Sequence, residues 1–367
     1  MKFRVWFTCA IALAAHSLMA ATFPGDVTVN GGVLESSAGN LLFTGRVTIG
    51  SRGASFITRS SGHDMVLDGD LTGNGLLTID NAGPGSGGTI RFTNDLSFMG
   101  TVRINGPSRG FSGGRLYLGD ANALNQATLV AVAGMRGIGF GPGIKTFSLG
   151  GLGGDANIDL QGKILRVGVT GTDCVYSGAF TDSVGGGEVI KDGSGKMTLT
   201  GNENVKVSIY NGALIINGTV PGEIKVGNPR IPLAPATLEG SGTIGNLLLQ
   251  TPGAIVQPGI LTVRNFSMIP GSTLSIRLGD QIRASGQFSL FGNLHLSTSN
   301  GFYTRPGHAW YLMVTTSHSP VLGRFTNLPT TELTISGHRF RINYAATQND
   351  PAATTGNAIA LIALSGT

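Results

Sequence analysis

Between Gly185 and Gly218 the chain reads GGGEVIKDGSGKMTLTGNENVKVSIYNGALIING. Apolar and polar positions alternate there in short runs, and each run is closed by glycine or asparagine. In Lys196 to Gly201, Met197 and Leu199 share one face, while Lys196, Thr198 and Thr200 share the other. From Val205 to Tyr210, Val205, Val207 and Ile209 fall on one side, and Lys206, Ser208 and Tyr210 on the other. Side chains of a strand point alternately to its two faces, so the pattern predicts strands with one buried and one wet face. Runs of three to six residues cannot bury a face alone. They need neighbours stacked above and below.

The same texture begins at Phe23. Asp26 to Gly32 reads as a strand closed by an Asn-Gly turn. Further strands are predicted over 32–35, 41–44, 47–49, 55–58, 65–71, 76–79, 89–92, 101–104 and 115–118. Strand starts are spaced about 6 to 13 residues apart, with Gly, Asn or Asp between them. Those residues accept the backbone angles of tight turns. Asp120 to Ala123 reads as a loop excursion. Strands resume over 128–133, 145–149, 157–160 and 163–170.

Two architectures fit such a string. In a β-sandwich, neighbouring strands pair as antiparallel hairpins. The Asn-Gly pairs starting at Asn30, Asn74, Asn105, Asn211, Asn217 and Asn300 are hairpin signals of that kind. In a parallel β-helix, each turn of the chain bonds to the next. Short strands, many recurrences and almost no helix signal favour the β-helix.

The texture changes at Asn228. Asn228-Pro229-Arg230-Ile231-Pro232-Leu233-Ala234-Pro235 cannot be ladder-paired throughout, because proline lacks the donor. The expected organisation is a signal peptide over 1–20, β-helix repeats over 21–227, a Pro-rich loop over 228–236, and C-terminal coils with a capping module over 237–367. The last hundred residues carry more large aromatics, among them Phe302, Tyr303, Trp310, Tyr311 and Phe340. Strands of the closing module are expected over 332–335, 338–344 and 358–364.

Composition narrows the class. The 367 residues include 59 glycines, and only 12% are charged, yet 41% are hydrophobic. There is no glycine at every third position, which excludes collagen, and the hydrophobic content argues against disorder. Lys2 and Arg4, the apolar run from Val5 to Ala15, and the small residues ending at Ala20-Ala21 read as an export signal. The apolar run is shorter than the roughly 20 residues that span a membrane, and no later span is visible. Removing that segment lowers the formal charge from +5 to +3 and leaves Cys174 as the one cysteine, hence no internal disulfide. Cys174 alternates with Tyr176, which predicts a buried structural thiol. The basic residues are scattered, without the patch or module that nucleic-acid binding requires.

At this point the motifs resemble a known family. Lys191 to Asn202 (KDGSGKMTLTGN) is similar to a line of the autotransporter-associated β-strand repeat proteins, and Asn211 to Gly218 (NGALIING) is similar to that repeat's close. Leu238 to Gly245 (LEGSGTIG), Val256 to Val263 (VQPGILTV), and Gly323 to Phe325 through Leu328-Pro329 to Phe340–Tyr344 follow in the family's order. The resemblance covers about 185–364; residues 23–184 match loosely. The family's Thr-Tyr-Thr-Gly-Gly turn is absent, replaced by Asn204 to Tyr210, and the chain shows no outer-membrane barrel. The resemblance implies an exported, right-handed parallel β-helix of the passenger type, with no catalytic residue to carry over.

Candidate chemistry is sparse. Enzymes that cut polysaccharides on a β-helix need paired carboxylates, or calcium with arginine, on adjacent coils. The densest acidic spot is Asp64, Asp68 and Asp70, with His63 and Asp80 near in sequence. Read as one strand, Asp68 and Asp70 share a face about 7 Å apart. The glycine-rich stretch Gly137 to Gly143 lacks the following helix and Gly-Lys-Ser/Thr of a phosphate cradle and is expected to be a turn. His295, His308, His318 and His338 show no metal spacing. Phe302, Tyr303, Trp310 and Tyr311 can stack on sugars, but core packing is the expected role. No cofactor is indicated. The expectation is a secreted or cell-surface, non-catalytic solenoid in structural or adhesive contact with surface polysaccharide or other envelope proteins. The alternative is a polysaccharide lyase or hydrolase with its site at Asp64, Asp68 and Asp70.

Overall fold

The computed structural model describes residues 5–7, 20–37, 39–60, 62–81, 87–107, 113–317, 319 and 321–364. Most of the expected signal peptide, His318 and the last three residues lie outside the described residues. Every regular element among the described residues is a strand. The strands form the parallel stacked coils of a β-solenoid, about 12 turns in the chain. Two compact units, Met1–Gly195 and Lys196–Thr367, are described in turn.

In the first unit an early coil carries three short strands. Val27–Val29, Val47–Ile49 and Leu71–Gly73 stack in parallel on one face. Gly32–Ser36, Ala54–Thr58, Leu76–Asn81 and Thr101–Ile104 stack on a second. Asn40–Phe43, Met65–Leu67, Ile90–Phe92, Arg115–Leu118 and Gly137–Phe140 stack on the third. Near the N-terminus, Val5–Phe7 is a strand in parallel register with Val27–Val29.

Alternation places the same kind of residue inward on every coil. Phe43, Leu67, Phe92, Leu118 and Phe140 fall in one register column and are all buried. Burying each such side chain contributes about 1.5–3 kcal/mol, and no single coil could do this alone. One inner column is polar: Ser36, Thr58 and Asn81 are in register and buried. Ser36 Oγ donates to the carbonyls of Gly39 (2.5 Å) and His63 (3.3 Å), and Thr58 Oγ1 to that of Gly88 (3.2 Å). The hydroxyls thus satisfy carbonyls left behind where the chain leaves the ladder.

The Asn-Gly pair at Asn30 shows why the hairpin reading fails. Asn30 Oδ1 accepts the Arg52 N–H at 2.8 Å, and Gly31 N–H donates to Gly53 O at 2.6 Å. Both bonds go to the next coil rather than back across a hairpin. Gly31, at φ 83°, turns a corner.

The run 65–71, expected as one strand, is two: Met65–Leu67 and Leu71–Gly73, with a corner at Asp68-Gly69-Asp70. Packing imposes the corner. A Cβ at Gly69 would lie 2.0 Å from the Gly45 carbonyl oxygen, and one at Gly45 would lie 2.4 Å from that of Gly25. Three successive coils therefore turn on a column of glycines. Gly137 to Gly143, expected as a turn, is a strand in its first half, because Gly137–Phe140 pairs with Arg115–Leu118. Phe140 there packs on Phe147 at a centroid distance of 4.9 Å.

The second unit stacks Lys196–Leu199, Gly212–Ile216, Ala236–Gly240, Ala254–Pro258, Thr273–Arg277 and Asn293–Ser297 in parallel. A second series runs Lys206–Ile209, Thr219–Val226, Thr243–Leu249 and Ile260–Met268. The Pro-rich segment is a loop with exposed Ile231 and Leu233. At the end the pairing changes sense. Ala309–Thr315 lies parallel to Gln281–Ala284 on one edge and antiparallel to Ala358–Ala363 on the other. His338–Ala346 continues antiparallel between Ala358–Ala363 and Glu332–Ile335. This is the expected capping module, which covers strand edges that parallel stacking would leave open.

Candidate functional site

The acidic residues flagged in the sequence lie where one coil bonds to the next. Asp64 accepts the Thr89 N–H at 2.8 Å on one oxygen and the Arg91 Nε–H at 2.6 Å on the other. Arg91 in turn lies over the Tyr117 ring, 4.7 Å from its centroid. Asp68 accepts the Thr93 hydroxyl at 2.8 Å. Asp70 accepts the Ser97 N–H at 3.0 Å and sits 3.8 Å from Arg46 Nε. Asp80 accepts Asn105 Nδ2–H at 2.9 Å. Asp68 and Asp70 occupy the corner between two strands and do not share a strand face. Among the described residues no three His, Cys, Asp or Glu side chains come together as a metal-binding group.

The other candidates disperse. His308 packs edge-on against Trp310 at 4.3 Å, and His338 against Phe302 at 5.6 Å. His295 Nδ1 lies 3.3 Å from Ser275 Oγ. Cys174 is half-buried, and burial pushes its thiol pKa up. Lys191, which is fully buried, donates to the carbonyls of Asp192 (3.0 Å) and Gly193 (2.8 Å), and burial lowers its pKa.

The second unit holds a concave feature that pattern reasoning missed. An open groove of about 820 Å³ runs between the strand Asn293–Ser297 with its following loop and the hairpin strand Glu332–Ile335. Its apolar floor includes Leu296, Phe302, Leu328 and Leu333. Its rim carries Ser297, Thr298, Ser299, Asn300, Thr334 and Ser336. His295 also lines it, and no Asp, Glu, Lys or Arg does. Phe302 belongs to an aromatic cluster, 5.5 Å from Trp310 and 6.4 Å from Phe340. The ring is therefore packed on one side and faces the groove on another.

Local sequence explains both walls. Ser336 and Gly337 have φ of 48° and 80°, the two positive values that a two-residue type I′ hairpin requires. Asn293–Ser297 bonds Thr273–Arg277 through its odd residues, because Asn293 N–H donates to Ser272 O and Leu278 N–H to Ser297 O. Ladder alternation then aims the backbone of Leu294 and Leu296 at the opposite edge. The Asn327 carboxamide fills the position beside Leu294, accepting its N–H and donating to its carbonyl, both at 2.9 Å. Thr298 and Ser336 hydroxyls bridge the two walls at 2.7 Å. The polar run 297–301 and the Ser336-Gly337 pair were the available sequence signals. Neither reveals that they face one another.

No protein-family profile matches this chain, and no curated protein sequence is significantly similar to it. The likeness to autotransporter-associated repeats therefore stands on the motifs quoted above.

Proposed function

We propose that this chain is an exported, non-catalytic β-solenoid that makes structural or adhesive contact at the cell surface or in the extracellular matrix. One observation carries the reading: the carboxylates at the candidate catalytic spot are engaged in holding coil to coil. Asp64, Asp68, Asp70 and Asp80 each accept a hydrogen bond from a residue 25 to 27 positions on. A general acid or nucleophile needs a carboxyl free to approach a glycosidic bond, with its partner carboxyl facing the same bond. Outward ladders of small hydroxylated residues accompany this. Thr28, Thr48 and Thr72 stand in register, with Thr48 and Thr72 hydroxyls 2.9 Å apart. Partners in keeping with such a surface are polysaccharides and other envelope proteins.

The test is incubation of the purified chain with neutral and acidic polysaccharides, with and without calcium, followed by size chromatography. Unchanged polymer lengths are expected, with co-elution of protein and one polymer. Shortening of a polymer that is lost in Asp68→Ala or Asp70→Ala would replace the contact role with the lyase or hydrolase alternative.

A further inference from the structure

We infer that the groove between Asn293–Ser297 and Glu332–Ile335 is a binding site for a neutral oligosaccharide chain. The inference rests on the contact role proposed above and names the ligand class and the place.

The chemistry of the lining selects the ligand. The rim offers side-chain hydroxyls and one carboxamide, groups that both donate and accept. Sugar hydroxyls have the same dual character. Leu296 adds a backbone N–H and C=O aimed at the groove. The lining holds no Asp, Glu, Lys or Arg, and its one titratable side chain, His295, has Nδ1 within 3.3 Å of Ser275 Oγ, so no carboxylate, ammonium or guanidinium stands ready to pair with a charged ligand. Phe302 supplies an aromatic surface against which the apolar face of a sugar ring packs, and Trp310, 5.5 Å behind it, holds the ring in place. The groove is open to solvent, so a sugar chain can enter from the side rather than end first.

A peptide added as a strand fits less well. Strand addition needs a run of free backbone groups along one edge. Here Asn327 occupies the groups of Leu294, and the Thr298–Ser336 bridge closes the two walls beyond Leu296. Only one residue of this edge is left to pair.

The experiment uses the full chain and follows tryptophan fluorescence while cellohexaose, laminarihexaose and mannohexaose are added. An oligogalacturonate and an alternating Thr-Val hexapeptide serve as charged and strand-forming comparisons. Trp310 reports on the Phe302 side of the groove, and a Trp310→Phe chain identifies its share of the signal. Two variants alter exposed lining positions and leave the core untouched: the double substitution Asn300→Ala with Thr334→Ala, and Ser299→Trp, which fills the groove. Saturable binding of a neutral hexasaccharide, weakened about tenfold or more in both variants, is the expected result. Equal binding by wild type and both variants would overturn the groove assignment while leaving the contact role standing. The groove assignment also fails if the oligogalacturonate or the peptide binds there and no neutral sugar does. Shortening of any of the sugars by the wild-type chain would overturn the contact role itself.

Discussion

Alanine at Gly69 tests whether the corners of the coils are set by backbone contact. Gly69 sits where Asp68 and Asp70 flank a turn, and its φ is not among the positive values, so alanine brings no conformational strain of its own. The added Cβ would meet Gly45 O at 2.0 Å, Gly45 C at 2.7 Å and Thr44 O at 2.8 Å. All three are backbone atoms and cannot rotate away. Restoring ordinary contact at about 3.4 Å means opening this corner by more than an ångström. Three bonds cross it: Asp68 N–H to Phe43 O (2.8 Å), Gly69 N–H to Phe43 O (2.9 Å), and Val47 N–H to Asp70 O (2.8 Å). At about 1 kcal/mol each, their loss costs about 3 kcal/mol. A unit of this size loses roughly 2–4 °C in Tm per kcal/mol, so Gly69→Ala should lower the first unit's transition by about 6–12 °C. Circular dichroism melts measure this, with Gly143→Asn as control. Gly143 has φ 79° and nothing within 4 Å of an added Cβ, and asparagine tolerates that conformation. A Gly69→Ala melt indistinguishable from wild type would refute the stacked-corner reasoning.

Other expectations follow from the same packing. Phe266 is fully buried in register with Leu247 and Phe288, so Phe266→Ala should cost about 3–5 kcal/mol in denaturant unfolding of the second unit. Burial alone would raise the Asp182 pKa, but N–H donors from Gly187, Gly162, Gly185 and Val184 outweigh it and hold the pKa below the usual value. A depressed carboxylate pKa contributes stability that is present above its unfolded value and lost as pH falls through the folded one. Asp182→Asn should therefore be less stable than wild type at neutral pH, and the gap should close in acid; a gap constant with pH would contradict this. Burial raises the Cys174 thiol pKa, so Ellman's reagent at neutral pH should react more slowly with the native chain than with the urea-unfolded one. Equal rates would mean that the thiol is as free folded as unfolded.

Much of the fold can be read from short-range pattern. Met197 and Leu199 alternate with polar neighbours, and they are buried as the period of two requires. Cys174 was expected to be buried with Tyr176; Tyr176 is buried, while Cys174 stands half-exposed near the strand's start. The Asn-Gly pairs are ambiguous because the turn signal is local, whereas the turn at Asn30-Gly31 takes its partners from a coil 22 residues away. The acidic candidate failed for a related reason. Spacing along the chain shows that Asp68 and Asp70 are two apart, but not that Gly69 must turn between them because Gly45 lies underneath.

The pattern along the chain is enough to specify an all-β protein of short, one-face-buried strands, too short to stand alone, closed by an aromatic-rich module. Those properties follow from alternation and composition, which act residue by residue. Three-dimensional packing alone sets that Asp64, Asp68, Asp70 and Asp80 accept hydrogen bonds from the following coil, and that Ser297–Gly301 and Leu333–Ser336 face one another across a groove. Residues some 35 positions apart meet there because the pairing changes from parallel to antiparallel at the end of the chain. A choice of strand partner is made by long-range contact and leaves no periodic mark on the sequence.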